Sequence, residues 1–350
     1  MRKRPGLIAA GLSLALAACA TAPARTPPPR PSSPIASRIP PPPAPLSWST
    51  LPGWELEDHL AALAAVRAAC RVRPAPYPEA CRALAADPPA TDASARRFIE
   101  AQFALNPVPA AGLLTAYYTP VYEARRTPGP PFTAPVRPTP ADPALIGADR
   151  AAIAAAPAPD ALAWMRAEDL FFLQVQGSGV LVLPGGARRK AVYGAANGKP
   201  FVGLARVMRQ QGLIDDAQSS AAAIHTWLAV HRGPEAEAVM DQDPRYVFFR
   251  LAPDDGAPPS GAAGVTLPAG RALAVDRTSH GFGELLWIDA EDPALAGARP
   301  AYRRLAAALD IGSAIKGPAR ADLYLGQGEA AGREAGLVRH RLMLYRLESR

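Results

Sequence analysis

Strand-forming segments bounded by glycine and proline recur through the last third of the chain: YVFFRL at 246–251, RALAVD at 271–276, ELLWIDA at 284–290, ADLYLG at 321–326 and LMLYRL at 342–347. Few helical stretches separate the later ones, so they cannot alternate with helices in a doubly wound sheet. They predict barrels instead. Four further strand-like pieces lie upstream: GLLTAYYTP at 112–120, LFFLQVQGSG at 170–179, VLVLP at 180–184 and RRKAVY at 188–193. Helical spacing marks 55–71 and 91–103, the latter opened by Thr91 or Asp92 as cap, and then a block at 201–212, 220–231 and 235–242. No fixed-period repeat is present.

The N-terminus has a different character. MRKRPGLIAAGLSLALAAC has a basic start, an apolar run from Leu7 to Ala17 and small residues before Cys19, the pattern of an export signal too short to span a bilayer. LAAC resembles a bacterial lipobox, which implies removal of residues 1–18, acylation of Cys19 and, with Ala20 following, the outer membrane. The alternative is an ordinary signal peptide with an incidental cysteine. Prolines crowd residues 26–45, TPPPRPSSPIASRIPPPPAP, predicting an extended tether over 19–47. Loss of Arg2, Lys3 and Arg4 with the signal lowers the net charge from +7 to +4, a mildly basic surface suited to a polyanion. Cys70 and Cys81, with ten residues between them, read as an extracytoplasmic disulfide or, nearly as well, as two buried thiols.

Several catalytic patterns fall away. His59, His225, His231, His280 and His340 never stand at metal-ligand spacing, so no metal and no cofactor is expected. GQGEAAG at 326–332 lacks the Walker lysine and reads as a turn needing positive backbone angles before a helix. QGSG at 176–179 is not a nucleophile elbow. Carboxylates remain: Asp322 in ADLYL faces away from Leu323 by strand alternation, either as a solvated charge or as an acid for a poor leaving group such as a glycosidic oxygen.

DIGSAIKGPARADLYLGQGEAAGREAG at 310–336 resembles the C-terminal three-aspartate segment of the membrane-bound lytic murein transglycosylase A (MltA) family. LLTAYYTPVYEARRT, FFLQVQGSGVLVLP, VYGAANGKPF, DPRYVFFR and RALAVDRT match other family stretches in order, so the resemblance covers roughly residues 48–350. It implies a mainly β fold with helices: a double-psi β-barrel from 48–120 and 251–350, interrupted by a smaller β-rich domain at 121–250. It implies cleavage of the β-1,4 bond between N-acetylmuramic acid and N-acetylglucosamine without water, the muramic C6 hydroxyl attacking to leave a 1,6-anhydro end. On that pattern Asp322 is the single acid/base, and Asp276 and Asp310 support it. Lys316 orients a carboxylate or contacts sugar, a surface lysine being the alternative. Tyr117, Gln174, Gln176, Ser178, Tyr193 and Asn197 are candidate glycan contacts, and only one of Tyr117 and Tyr118 can face the groove.

Implied partners are peptidoglycan strands, the outer membrane through Cys19 on its periplasmic side, and cell-wall enzyme complexes, with no nucleic acid. The chain departs from the family at Ile311, Ser313 and Val180, where threonine, glycine and arginine are usual, and in SHGFGELLW at 279–287. A wall-binding lipoprotein of the same fold with little catalysis is therefore the rival reading, and a two-carboxylate hydrolase a third.

Overall fold

Residues 46–215, 219–295 and 298–350 are described by the computed structural model. Cys19, the export signal and nearly all of the tether lie outside them. After two single 3-10 turns, Trp48–Thr50 and Trp54–Leu56, come three α-helices: α1 (His59–Arg71), α2 (Pro78–Ala86) and α3 (Asp92–Gln102). Asp58 caps α1 by accepting from the Ala61 amide, and Thr91 and Ser94 form a reciprocal capping box on α3. Both caps satisfy amides that the first helical turn leaves without partners. A disulfide between Cys70 and Cys81, Cα atoms 5.5 Å apart, joins α1 to α2. Its reduction is expected to lower unfolding stability by about 2–3 kcal/mol through the loop-closure entropy it removes from the unfolded chain. A urea midpoint unchanged on reduction would refute this.

Strands β1 (Phe103–Pro107) and β2 (Gly112–Thr119) follow, then a lobe made of β3 (Val121–Glu123), β4 (Ala134–Val136), α4 (Pro143–Ile146), α5 (Arg150–Ala155), β5 (Ala163–Met165), α6 (Ala167–Gln176), β6 (Gly179–Val182), β7 (Arg188–Ala196), α7 (Leu204–Gln210), α8 (Ala221–Val230), α9 (Pro234–Met240) and β8 (Val247–Pro253). Its four-stranded sheet runs β3-β6-β7-β8, and β4 and β5 form a separate ribbon. The chain then returns through β9 (Ala272–Val275), β10 (Leu285–Glu291), β11 (Ala301–Asp310), β12 (Arg320–Gln327), α10 (Glu329–Ala335) and β13 (Arg339–Ser349).

Six strands close on themselves in the order β2-β13-β10-β11-β9-β12, with β12 pairing back to β2 and β1 added beside β13. The β11–β9 and β12–β2 pairings are parallel; the others in the ring are antiparallel. Alternation sorts the side chains into two cores. Leu114, Leu273, Leu286, Ile288, Leu323 and Leu344 fill the barrel, while Leu285, Trp287, Leu305, Leu309 and Tyr324 face outward and pack with Trp54 and the small residues of α1. Closure removes the exposed edges that an open sheet would leave.

The segment 170–179 differs from expectation. LFFLQVQ is helical in α6, not a strand. Leu170 and Leu173 pack on the lobe's sheet while Phe171, Phe172 and Val175 pack against α7–α9, so both sides are apolar and no 3.6-residue stripe shows in the sequence. Acidic Glu168 and Asp169 in the first turn and left-handed Gly177 at the end were the readable helix signals. The turn expected at 326–332 is present, with Gly326 and Gly328 at φ 111° and 88° before α10.

Candidate active site

Register places the aspartates. Asp322 in β12 stands beside Thr115 of β2 on one side and Ala274 of β9 on the other. Asp310, at the end of β11, also registers with Ala274, after a shift between Ala308 and Asp310. Leu309 faces outward, so strict alternation would turn Asp310 into the barrel; the irregularity re-aims it to the outer wall. The small Ala274 thus sits between two carboxylates carried by the strands on either side of β9. The starts of β2 and β12 are drawn together at Gly112, where a Cβ would fall 1.8 Å from the Ala319 carbonyl oxygen.

Each aspartate has a different set of partners. Asp310 accepts from the Tyr117 hydroxyl at 2.9 Å on Oδ2, and from the Ala262 and Ile311 amides at 3.0 and 2.9 Å on Oδ1. Burial still pushes its pKa up, against those donors. Asp276 accepts from the Gly317 amide at 2.7 Å and from the Thr278 amide and hydroxyl at 3.0 and 2.9 Å. The Gly317 amide leads these donors in pulling its pKa down to about 2, with help from the Lys316 charge. Asp276 therefore clamps the segment between β11 and β12 at Gly317, and buried His280 pins it again by donating from Nε2 to the Pro318 carbonyl at 2.7 Å.

Asp322 is the exception. Thr115 donates its hydroxyl to Oδ1 in a short hydrogen bond, and Oδ2 has no partner among the described residues. Burial raises its pKa most; Thr115 and Arg320 oppose the shift and the Asp310 charge adds to it. The result is a carboxyl that holds its proton to higher pH than a solvated one and keeps one oxygen free. Tyr117, pushed well above its ordinary range by burial and then by Asp310, stays a hydroxyl donor.

The other expected site residues scatter. Tyr117 lies on the outer wall with Asp310 and Tyr324, while Tyr118 points elsewhere, its ring against Gly332 of α10. Gln176 accepts from the Tyr118 amide, tying α6 to β2. Gln174 is buried in the inserted lobe, accepting from Arg150 and donating to the Val247 carbonyl, so both ends of its amide are spent on scaffold. Asn197 is likewise buried, donating to the Ala148 and Pro244 carbonyls and accepting from the Tyr246 amide. Both amides thus have scaffold partners. Tyr193 is exposed on β7, Ser178 half-buried beyond α6, Lys316 exposed, and Val180 buried in β6. Ile311 is 51% exposed beside Asp310. A cavity of about 320 Å³ in the inserted lobe is lined by Arg150, Phe171 and Tyr246 and by none of the three aspartates. Sequence reasoning missed Thr115, Arg320 and His280 as parts of the site.

A closed barrel with an aspartate triplet, interrupted after β2 by a second lobe, defines a 3D-domain protein with an insertion. Residues 113–250 match the MltA specific insert domain and residues 271–348 the 3D domain. The chain belongs to the membrane-bound lytic murein transglycosylase A family. Membrane-bound lytic murein transglycosylase A of Escherichia coli (strain K12) is 34% identical over 234 residues, 65% of this chain and 62% of that relative, so the chain spans less than two thirds of the curated relative it matches. The crystal structure of a membrane-bound lytic murein transglycosylase from Agrobacterium tumefaciens is similar with a TM-score of 0.75 at 32% identity, over 87% of this chain and 97% of that one. The structure of Escherichia coli MltA with bound chitohexaose is similar with a TM-score of 0.68 at 27% identity, over 83% and 89% of the two chains.

Proposed function

We propose that the protein is a peptidoglycan lytic transglycosylase in which Asp322 alone serves as acid and base. The observation that carries this is the distribution of hydrogen bonds: Asp276 and Asp310 have both oxygens engaged by protein donors, and Asp322 alone keeps one without a partner among the described residues. An ordinary glycoside hydrolase needs a second available carboxylate, either to activate water or to attack the sugar. A substrate that carries its own nucleophile does not.

Asp322 Oδ2–H gives its proton to the glycosidic oxygen as the bond to muramic C1 breaks, and N-acetylglucosamine leaves with a neutral 4-hydroxyl. The muramic C6 hydroxyl then bonds to C1 and returns its proton to the Asp322 carboxylate, so the enzyme ends as it began. Because attacker and target belong to one sugar, their effective concentration is high without a positioned water. Burial suits the first half by delaying ionisation of Asp322, and the Thr115 hydroxyl suits the second by stabilising the carboxylate. Glycan strands are the substrate in this reading. Acylated Cys19 with its proline-rich tether would hold the enzyme at the outer membrane, facing the wall and its other enzymes. The curated relatives are named as membrane-bound, and no helix among the described residues is long and apolar enough to cross a membrane.

Ile311, exposing an apolar side chain beside Asp310, favours the rival reading of a wall-binding protein with weak catalysis. Mass spectrometry of purified peptidoglycan incubated with the full-length protein in detergent decides among them. Anhydro-muropeptides are expected. Reducing ends one water heavier would make it a hydrolase, and retention on sedimenting peptidoglycan without products would make it a binding protein.

A further inference from the structure

Arg320 precedes Asp322 by two residues in β12, so the two side chains leave the same outer face. Its Nη1 donates to the Ala321 carbonyl at 2.6 Å and the Leu113 carbonyl at 3.4 Å, stapling β12 to β2. Its Nη2 donates to Thr115 Oγ1 at 2.9 Å, and Thr115 donates onward to Asp322 Oδ1. A guanidinium has hydrogens to give and no lone pair to accept with. Thr115 Oγ1 must therefore be the acceptor from Arg320, and its single hydrogen is left for Oδ1. Without Arg320 both lone pairs of the hydroxyl are open to a protonated Oδ1; with it, one lone pair is taken and the guanidinium charge polarises the O–H, which favours donation to Oδ1 over acceptance from it.

We propose that Arg320 is a positioning residue for the acid: by polarising Thr115 as a donor to Oδ1, it biases the transferable proton of Asp322 towards Oδ2. This rests on the single-carboxyl reading above and adds to it which oxygen works and what selects it. Hydrogen bonds in such a chain polarise one another, so the Arg320 charge reaches the carboxyl through the hydroxyl as well as through space. The other groups around Asp322 do not supply the same bias. Asp310 from β11 is an anion, and Tyr117 from β2 and Tyr324 from β12 are hydroxyls. Ala274 from β9 is uncharged, and Arg339 of β13, which registers with Thr115, is exposed to solvent. Arg320 is the cation that acts on Asp322 among the described residues. Burial at the same time weakens Arg320's own hold on its proton, a penalty that the Asp322 charge offsets.

The sign of the effect is definite. A donated hydroxyl and a nearby cation both favour the carboxylate, so removing either raises the pKa of Asp322 and lets the acid stay protonated to higher pH. The test is the pH dependence of kcat/KM for anhydro-end formation by the full-length protein in detergent. Arg320→Gln and Thr115→Val are each expected to move the alkaline limb up by about one pH unit. In the double variant the limb is expected to move by less than the two single shifts added together, because both substitutions break one chain. Thr115→Ser, which restores the hydroxyl, and Arg320→Lys, which restores the charge, are expected to return the limb towards its original place. An arginine that only staples the strands would lower thermal stability in Arg320→Gln and leave the limb unmoved. Shifts that add in the double variant would equally overturn the relay. Should Arg320→Gln fail to fold, the Thr115→Val and Thr115→Ser pair decides, since both leave the carbonyl staple intact. Carbon-13 titration of the Asp322 carboxyl in the same variants reads the shift without turnover. Absence of anhydro ends from the unmutated protein would thus count against the proposed activity alone.

Discussion

Asp322→Asn is expected to reduce anhydro-end formation by at least about 10³-fold, since in the proposed mechanism the one carboxyl supplies both the acid and the base and each proton transfer contributes about 10²–10⁴-fold. The same substitution is expected to leave the protein at least as stable at pH 7. The folded-state pKa of Asp322 is raised, chiefly by burial, so its ionised form is disfavoured in the native protein. A group of that kind supports the fold while protonated and opposes it increasingly as pH rises from its unfolded value through its folded one. Asparagine stays neutral throughout and can still accept from the Thr115 hydroxyl through Oδ1. Melting curves of the two proteins should therefore converge in acid and separate towards neutrality, with the variant higher. Asp310→Asn is the informative comparison. Asp310 is held by three donors and in the proposed mechanism takes no proton from substrate, so its loss of activity should be the smaller and its loss of stability the larger. Equal activity losses would mean that two carboxyls share the chemistry.

The barrel was legible because its strands begin and end at turn residues and carry β-branched or aromatic side chains; β9, β10, β12 and β13 all fall where the sequence expects them. Strand β11 was not. AYRRLAAALD is alanine-rich on both faces, and alanine at Ala306, Ala307 and Ala308 fills inner and outer cores alike, which erases the period of two. That omission also hid why Asp310 turns outward, because an irregularity in register leaves no mark on composition. Asp322 could be found from strand alternation and from the family pattern. Thr115 could not, since only the β2–β12 pairing brings residues 207 positions apart into contact. Arg320 had a faint signal, its i, i+2 relation to Asp322 on one strand face. Gln174 and Asn197 illustrate an ambiguity of a different kind. An amide that binds a buried backbone and one that binds sugar have the same donor and acceptor set, so sequence alone does not separate them.

Glu57→Ala is expected to destabilise the fold by about 3–5 kcal/mol, the range for removing one member of a buried ion pair. The Glu57 carboxylate takes a bidentate pair from Arg271 at 2.7 and 2.9 Å and the Leu305 amide at 2.8 Å. It thereby joins the segment before α1 to the residue that precedes β9 and to the middle of β11, the parallel pair whose far end positions Asp310 beside Ala274. Alanine leaves a half-satisfied guanidinium and an amide without an acceptor in a region that water reaches poorly, and the penalty for those orphans exceeds the modest net value of the bonds themselves. A double variant, Glu57→Ala with Arg271→Ala, is therefore expected to lose less than the two single losses added together, because the stranded charge leaves with its partner. Urea unfolding measures both, and additive losses would mean the pair is not coupled. The effect should stay in stability: at a temperature where the variant is folded, kcat should be close to that of the unmutated protein, since Glu57 touches none of Thr115, Arg320 and Asp322. A fall in kcat matching the loss of stability would instead mean that the β9–β11 register transmits to the acid, making the clamp at the base of the barrel part of the chemistry on its wall.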